Sequence, residues 1–258
     1  MEWSEAGGLK LFRECPNPNG NLLDLEGRLL TCQHGARNIV RTERGGTEKG
    51  DTVTVLVDRF GEKRFNSPND LAVKSDGTIW FTDPPWGLRG GTEGKEIDGH
   101  WVFRFDPKSG EVTPVIRDRA MPNGIAFSPD GKQLYVSDTG GHRFHPTLRD
   151  RPATVTAYAV DEKTNGLQEK PVWQIETRCD GMCVDVRGRI YTTGPKAVNV
   201  WSPDGKPVMS IPVPEGPANV CFGGEEFDTL FITARTSLYA VKLGVQGARV
   251  VKRERGGG

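Results

Sequence analysis

Five side chains recur in front of short apolar runs: Asn19, Asn69, Asn123, Asp180 and Asn219. The first four each lie eight residues before a turn glycine, namely Gly27, Gly77, Gly131 and Gly188. The fifth precedes Val220-Cys221-Phe222 and a longer turn. Amide and carboxylate oxygens, without imidazole or thiolate, form a donor set for a hard divalent cation. Calcium fits that set first, with manganese, magnesium or zinc as alternatives. An Asn or Asp before a strand also makes turns by bonding nearby amides. Turn-making accounts for any one of these residues better than for five in register.

The elements that must carry these oxygens are short strands. Each begins a unit of four: strands near 22–24, 29–32, 38–41 and 53–57; then 70–74, 78–82, 101–105 and 112–116; then 124–127, 133–137, 154–160 and 171–175; then 182–185, 189–193, 197–201 and 207–211; and last 220–222, 229–233, 237–242 and 248–252. The unit starts lie 50, 54, 57 and 39 residues apart, the period of a four-stranded propeller blade. The predicted fold is all-β, of six-bladed β-propeller type, with five full four-stranded blades and a partial sixth. One domain is expected over 1–252, with 1–12 as a remnant of the first blade and 253–258 as a disordered tail. The first strand of a blade lines the central channel, so the five polar residues are expected to ring one mouth.

A cation held with open positions polarises a carbonyl and holds a water beside it, which suits hydrolysis of an ester or lactone. Asp180 is the one acid in the ring, and so the first choice for proton transfer. The chain's 34 basic and 34 acidic residues leave no excess charge, which argues against a nucleic-acid partner. No apolar run approaches the ~18 residues of a membrane helix, and no signal-peptide core is visible. Five cysteines without paired spacing fit a reducing, cytoplasmic setting or plain core filling. An upstream signal peptide is left open.

Asn66-Ser67-Pro68-Asn69-Asp70-Leu71-Ala72-Val73, Trp80-Phe81-Thr82-Asp83-Pro84-Pro85-Trp86-Gly87, Pro122-Asn123-Gly124-Ile125-Ala126-Phe127 and Asp180-Gly181-Met182-Cys183-Val184-Asp185 resemble the gluconolactonase/regucalcin (senescence marker protein) family. That resemblance implies a metal-dependent enzyme opening a sugar lactone. It matches Asn123 and Asp180 to family metal ligands, and Asn69 to an asparagine that binds the metal or contacts substrate through it. Gln33-His34-Gly35 resembles a family Glu-His-Gly segment, with Gln33 in place of the acid. Asn19, His34, Asn219 and Trp86 are the expected substrate contacts, Trp86 as an aromatic roof on a Pro-Pro loop. The family's first metal ligand, a glutamate in the first blade, falls before residue 1. The chain therefore reads as N-terminally short, and weaker metal binding and activity are expected. The alternative is a non-catalytic propeller, a binding or calcium-handling protein with a vestigial ring. His142 and His145 form a pair three apart on a long loop, a weaker metal candidate.

Overall fold

A computed structural model describes residues 2–4, 6–47, 50–141, 150–161, 163–164 and 166–249. It is an all-β propeller. A hairpin of β1 (Glu2–Ser4) and β2 (Gly8–Lys10) precedes the first blade, formed by β3 (Pro18–Leu23), β4 (Leu29–Gln33), β5 (Asn38–Thr47) and β6 (Gly50–Val57). A small hairpin, β7 (Arg59–Phe60) and β8 (Lys63–Arg64), leads to the second blade: β9 (Leu71–Val73), β10 (Ile79–Asp83), β11 (Trp101–Phe105) and β12 (Val112–Ile116). The third comprises β13 (Pro122–Phe127), β14 (Gln133–Asp138), β15 (Thr154–Asp161) and β16 (Gly166–Glu176). The fourth comprises β17 (Met182–Val184), β18 (Ile190–Thr193), β19 (Ala197–Trp201) and β20 (Pro207–Pro212). The fifth sheet holds β21 (Pro217–Gly223), β22 (Thr229–Ala234) and β23 (Leu238–Lys242).

The repeat has a local cause. At each inner hairpin a carboxylate bonds amides of its own turn: Asp24 accepts from Glu26 and Arg28, Asp76 from Thr78, Asp130 from Lys132, and Asp185 from Arg187 and Arg189. Gly27, Gly77, Gly131 and Gly188 then take the left-handed backbone that the turn requires, with φ between 70° and 91°, at no side-chain cost.

The fifth blade departs from the expected four strands. After β23 the chain does not return as an outer strand over its described residues. Gly247 forms a bridge with Asp185, the Val186 amide donates to Gln246 O, and the Ala248 amide donates to Val184 O. This stretch bonds both to blade four and to its own blade, where Leu243 N donates to Asp228 O and Gly247 N to Phe227 O. The remainder of the expected strand, and the predicted tail at 253–258, lie outside the described residues.

The core lies between blades, not within one layer. One cluster joins Leu30, Cys32 and Ile39 of the first blade to Leu71, Phe81 and Phe103 of the second, around Phe65. Three further clusters occupy the next three interfaces. A side chain such as Trp80 or Phe103, fully buried, contributes roughly 1.5–3 kcal/mol by leaving water. Face-to-face packing of successive sheets therefore fixes the ring of inner strands, which adjoin in the order β3, β9, β13, β17, β21. No helix among the described residues is long and apolar enough to cross a membrane.

Candidate active site at the channel mouth

The inner strands meet through a belt of backbone hydrogen bonds. Gly20 N donates to Asn69 O (2.7 Å), Gly124 N to Asp180 O (2.8 Å), and Gly181 N to Ala218 O (2.9 Å). Each step runs from the residue after a ring position to the ring carbonyl of the next blade. Glycine is needed for this approach: a Cβ on Gly20 would lie 2.6 Å from Asn69 O, and one on Gly124 2.4 Å from Asp180 O.

This belt defines the register. Asn19, Asn69, Asn123 and Asp180 share it, and in the fifth blade it falls on Ala218. Antiparallel pairing agrees, since Pro18, Pro122 and Pro217 face Gln33, Asp138 and Ala234 in turn. The expectation that Asn219 stands in the ring is therefore corrected by one residue. Asn219 occupies the next level down, the position of Asp70. The two share a bonding pattern: Asp70 Oδ1 accepts from Leu71 N (2.9 Å), and Asn219 Oδ1 from Val220 N (2.8 Å). The residue preceding each ring position, proline in four blades, was the sequence signal for the true register.

Asn123 and Asp180 come together, close enough for the amide to favour the charged form of the carboxylate. Asn69 Nδ2 lies 3.4 Å from His34 Nε2, which puts its Oδ1 on the opposite prong. Burial lowers the pKa of His34, so the imidazole is neutral at pH 7. The Pro84–Leu88 loop closes over this corner. Gly87 N donates to Ser67 Oγ (2.9 Å), and a Cβ at Gly87 would sit 2.5 Å from His34 Cβ. Trp86, half-buried, is carried on that loop. Asn19 is exposed and borders the channel cavity. His142 and His145 lie outside the described residues.

Beneath the mouth the channel encloses about 630 Å³, bordered by Asn19, Asp70, Met182, Cys183, Asn219 and Phe231 among others. A larger cleft of about 890 Å³ lies at the turn end of blades one and two. There Arg28 pairs with Asp24 at 2.7 Å and with Glu26 at 2.9 Å. Sequence reasoning overlooked Asp70, whose carboxyl is pushed up to about 7, first by burial and further by the charge of Asp180. The Asp180 carboxyl is also raised by burial, and the Asn123 amide offsets part of the rise. Asp180 is exposed, yet the surrounding walls exclude enough solvent to penalise its charge.

Among the described residues no basic side chain contributes to either shift. Asp70 and Asp180 thus stand within electrostatic reach of each other, and the Asn123 amide stands beside Asp180. That environment fits a hard divalent cation. Among the described residues no three His, Cys, Asp or Glu side chains gather to hold a metal. A site here rests on the Asn69, Asn123 and Asp180 oxygens.

The loops bearing the ring asparagines are themselves held by carboxylates. Asp83 accepts from Asn66 N and Ser67 N, both at 2.8 Å. Asp138 accepts from Ala120 N (2.7 Å) and Met121 N (2.9 Å). In both cases the amides are three and two residues before the ring asparagine.

The chain matches the family model described as SMP-30/Gluconolactonase/LRE-like region over residues 1–236. It is 32% identical over 246 residues to a gluconolactonase of Zymomonas mobilis, covering 90% of this chain and 64% of that protein's length. The solved gluconolactonase of Xanthomonas campestris is 34% identical, with a TM-score of 0.73, over 88% of this chain and 72% of that one. A regucalcin of Agrobacterium tumefaciens, described as a calcium-binding protein, shares the fold at 17% identity and a TM-score of 0.57, over 94% and 95% of the two chains.

Proposed function

Because the chain belongs to the SMP-30/gluconolactonase/LRE-like family, we propose that it hydrolyses a sugar lactone with the help of one divalent cation, calcium first. The observation that carries this reading is the Asn123 amide beside the Asp180 carboxyl at the channel mouth, with Asp70 within electrostatic reach of Asp180. Asn69, Asn123 and Asp180 would hold the cation, and a calcium-binding relative of the same fold supports the choice of metal. When bound, the cation polarises the lactone carbonyl.

The protein's own groups supply the rest. Asp180, the one acid among the proposed ligands, takes a proton from the attacking water. Water oxygen bonds to the carbonyl carbon, and the ring C–O bond breaks. The departing ring oxygen receives the proton from Asp180, which yields a hydroxy acid. Neutral His34, beside Asn69, presents a hydrogen-bonding edge to the lactone. Trp86 offers a flat face, while Asn19 and Asn219 on the cavity wall meet sugar hydroxyls.

The test is gluconolactone hydrolysis followed by acid release, with chain stripped by chelator and then given calcium, manganese, magnesium or zinc. Turnover is expected to vanish on chelation and return with a cation. Asp180→Asn is expected to lower kcat/KM by about 10²-fold or more. Undiminished turnover in the chelated chain, or in that variant, would overturn the reading.

A further inference from the structure

The belt of inner strands is closed differently at one step. Between blades one and two, three and four, and four and five, a glycine amide reaches the next ring carbonyl directly. Between blades two and three the corresponding residue is Asp70, and direct closure is not made. Asp70 N donates instead to Thr82 Oγ1 (3.2 Å), and Thr82 Oγ1 donates to Asn123 O (2.7 Å). The close approach seen at Gly20 and Gly124 leaves no room for a Cβ, so a residue with a side chain needs an intermediary.

We infer that Thr82 is the positioning residue for Asn123, its hydroxyl relaying the inter-blade hydrogen bond at the one step that glycine does not close. This rests on the proposed cation site. Cys32 occupies the same register in the first blade, while serine or threonine occupies it in the third, fourth and fifth, and the behaviour of those hydroxyls separates the role from mere packing. Ser137 Oγ reaches across to Asp180 O (3.1 Å), the next ring residue with a polar side chain. Thr193, whose neighbour in the ring is Ala218, stays within its own blade and donates to Gly181 O (3.1 Å). Thr233 likewise turns to Asn219 O of its own blade (3.3 Å). A hydroxyl crosses only where the next ring position carries a candidate ligand. Thr82 is fully buried, so water cannot take its place without rearrangement.

Valine keeps the shape of Thr82 and removes both halves of the relay. Partners that orient a metal-binding residue typically contribute roughly 10- to 100-fold to metal affinity. Titration of the chelated full chain with calcium, read by calorimetry, is therefore expected to show Thr82→Val weakened by that factor. Thr82→Ser, which restores the hydroxyl, should fall within about threefold of the parent, and Thr233→Val should match it. Calcium-free thermal melts establish that each variant is folded. If Thr82→Val does not fold, Thr82→Ala is read by the same titration. Parent-like calcium affinity in folded Thr82→Val or Thr82→Ala would overturn the inference and leave the cation site standing. A parent chain that binds no calcium would overturn both.

Discussion

Alanine at Gly124 tests the geometry of the mouth with a single methyl group. An ideal Cβ there would lie 2.4 Å from Asp180 O and 3.1 Å from Gly181 Cα, where ordinary contact begins at 3.4 Å. The obstacles are backbone atoms, so no rotamer change relieves them. The inner strands of blades three and four must part by about an ångström, and the 2.8 Å bond from Gly124 N to Asp180 O is lost. Overpacking of this kind costs about 1–3 kcal/mol, and the lost bond about 1 kcal/mol more. A displacement of this size at reacting groups lowers turnover by about 10²-fold. The assay pairs urea unfolding with kcat/KM on gluconolactone at saturating calcium. Gly131→Ala is the control: its φ is 70° and no atom lies within 4 Å of the new Cβ. It should lose about 1 kcal/mol from backbone strain and keep parental turnover. Gly124→Ala with parental turnover, or with unfolding within about 0.5 kcal/mol of the parent, would refute the argument from close approach.

Two further perturbations probe the loops behind the ring. Burial raises the Asp83 carboxyl to about 7, although the Asn66 and Ser67 amides oppose the rise. The native state therefore holds a proton that the unfolded chain releases above its ordinary value of 3.8. The resulting stability is present at low pH and lost as pH rises through about 7. Between pH 5.5 and 8 this group should remove about 2 kcal/mol. Urea midpoints of Asp83→Asn should show a correspondingly flatter pH dependence, and an unchanged slope would contradict the assignment. At the neighbouring turn, the Arg37 guanidinium donates to Phe65 O (2.6 Å) and Gly94 O (2.8 Å) and pairs with Glu96 (3.5 Å). A lysine cannot reproduce that fork. Arg37→Lys is expected to cost about 2–4 kcal/mol, whereas Arg89→Lys, at a side chain 90% exposed, should change stability by less than about 0.5 kcal/mol.

Local chemistry is what the sequence determined by itself. The turns at Gly27, Gly77, Gly131 and Gly188 need only a carboxylate and a flexible residue a few positions apart. Their recurrence therefore declared the blades, the channel-lining strands and four of the five ring positions. The fifth misled because its turn is longer, so spacing from a glycine no longer marked the register. The last blade misled in another way. Sheet periodicity implied an outer strand over 248–252, but among the described residues Gln246, Gly247 and Ala248 found partners at Val186, Asp185 and Val184 of the preceding blade.

Contacts across blades belong to the tertiary structure alone. His34 meets Asn69 from 35 residues away, Thr82 meets Asn123 from 41, and Ser137 meets Asp180 from 43. No periodicity encodes such pairings, because they depend on how closely two sheet faces settle against each other. That distance is set by the apolar clusters between blades and by whether glycine or a side chain stands at the seam. Asp70 reads in the sequence as one more turn acid beside Asn69. Only the packed inner strands place it within the electrostatic reach of Asp180, where both carboxylates lose solvent together.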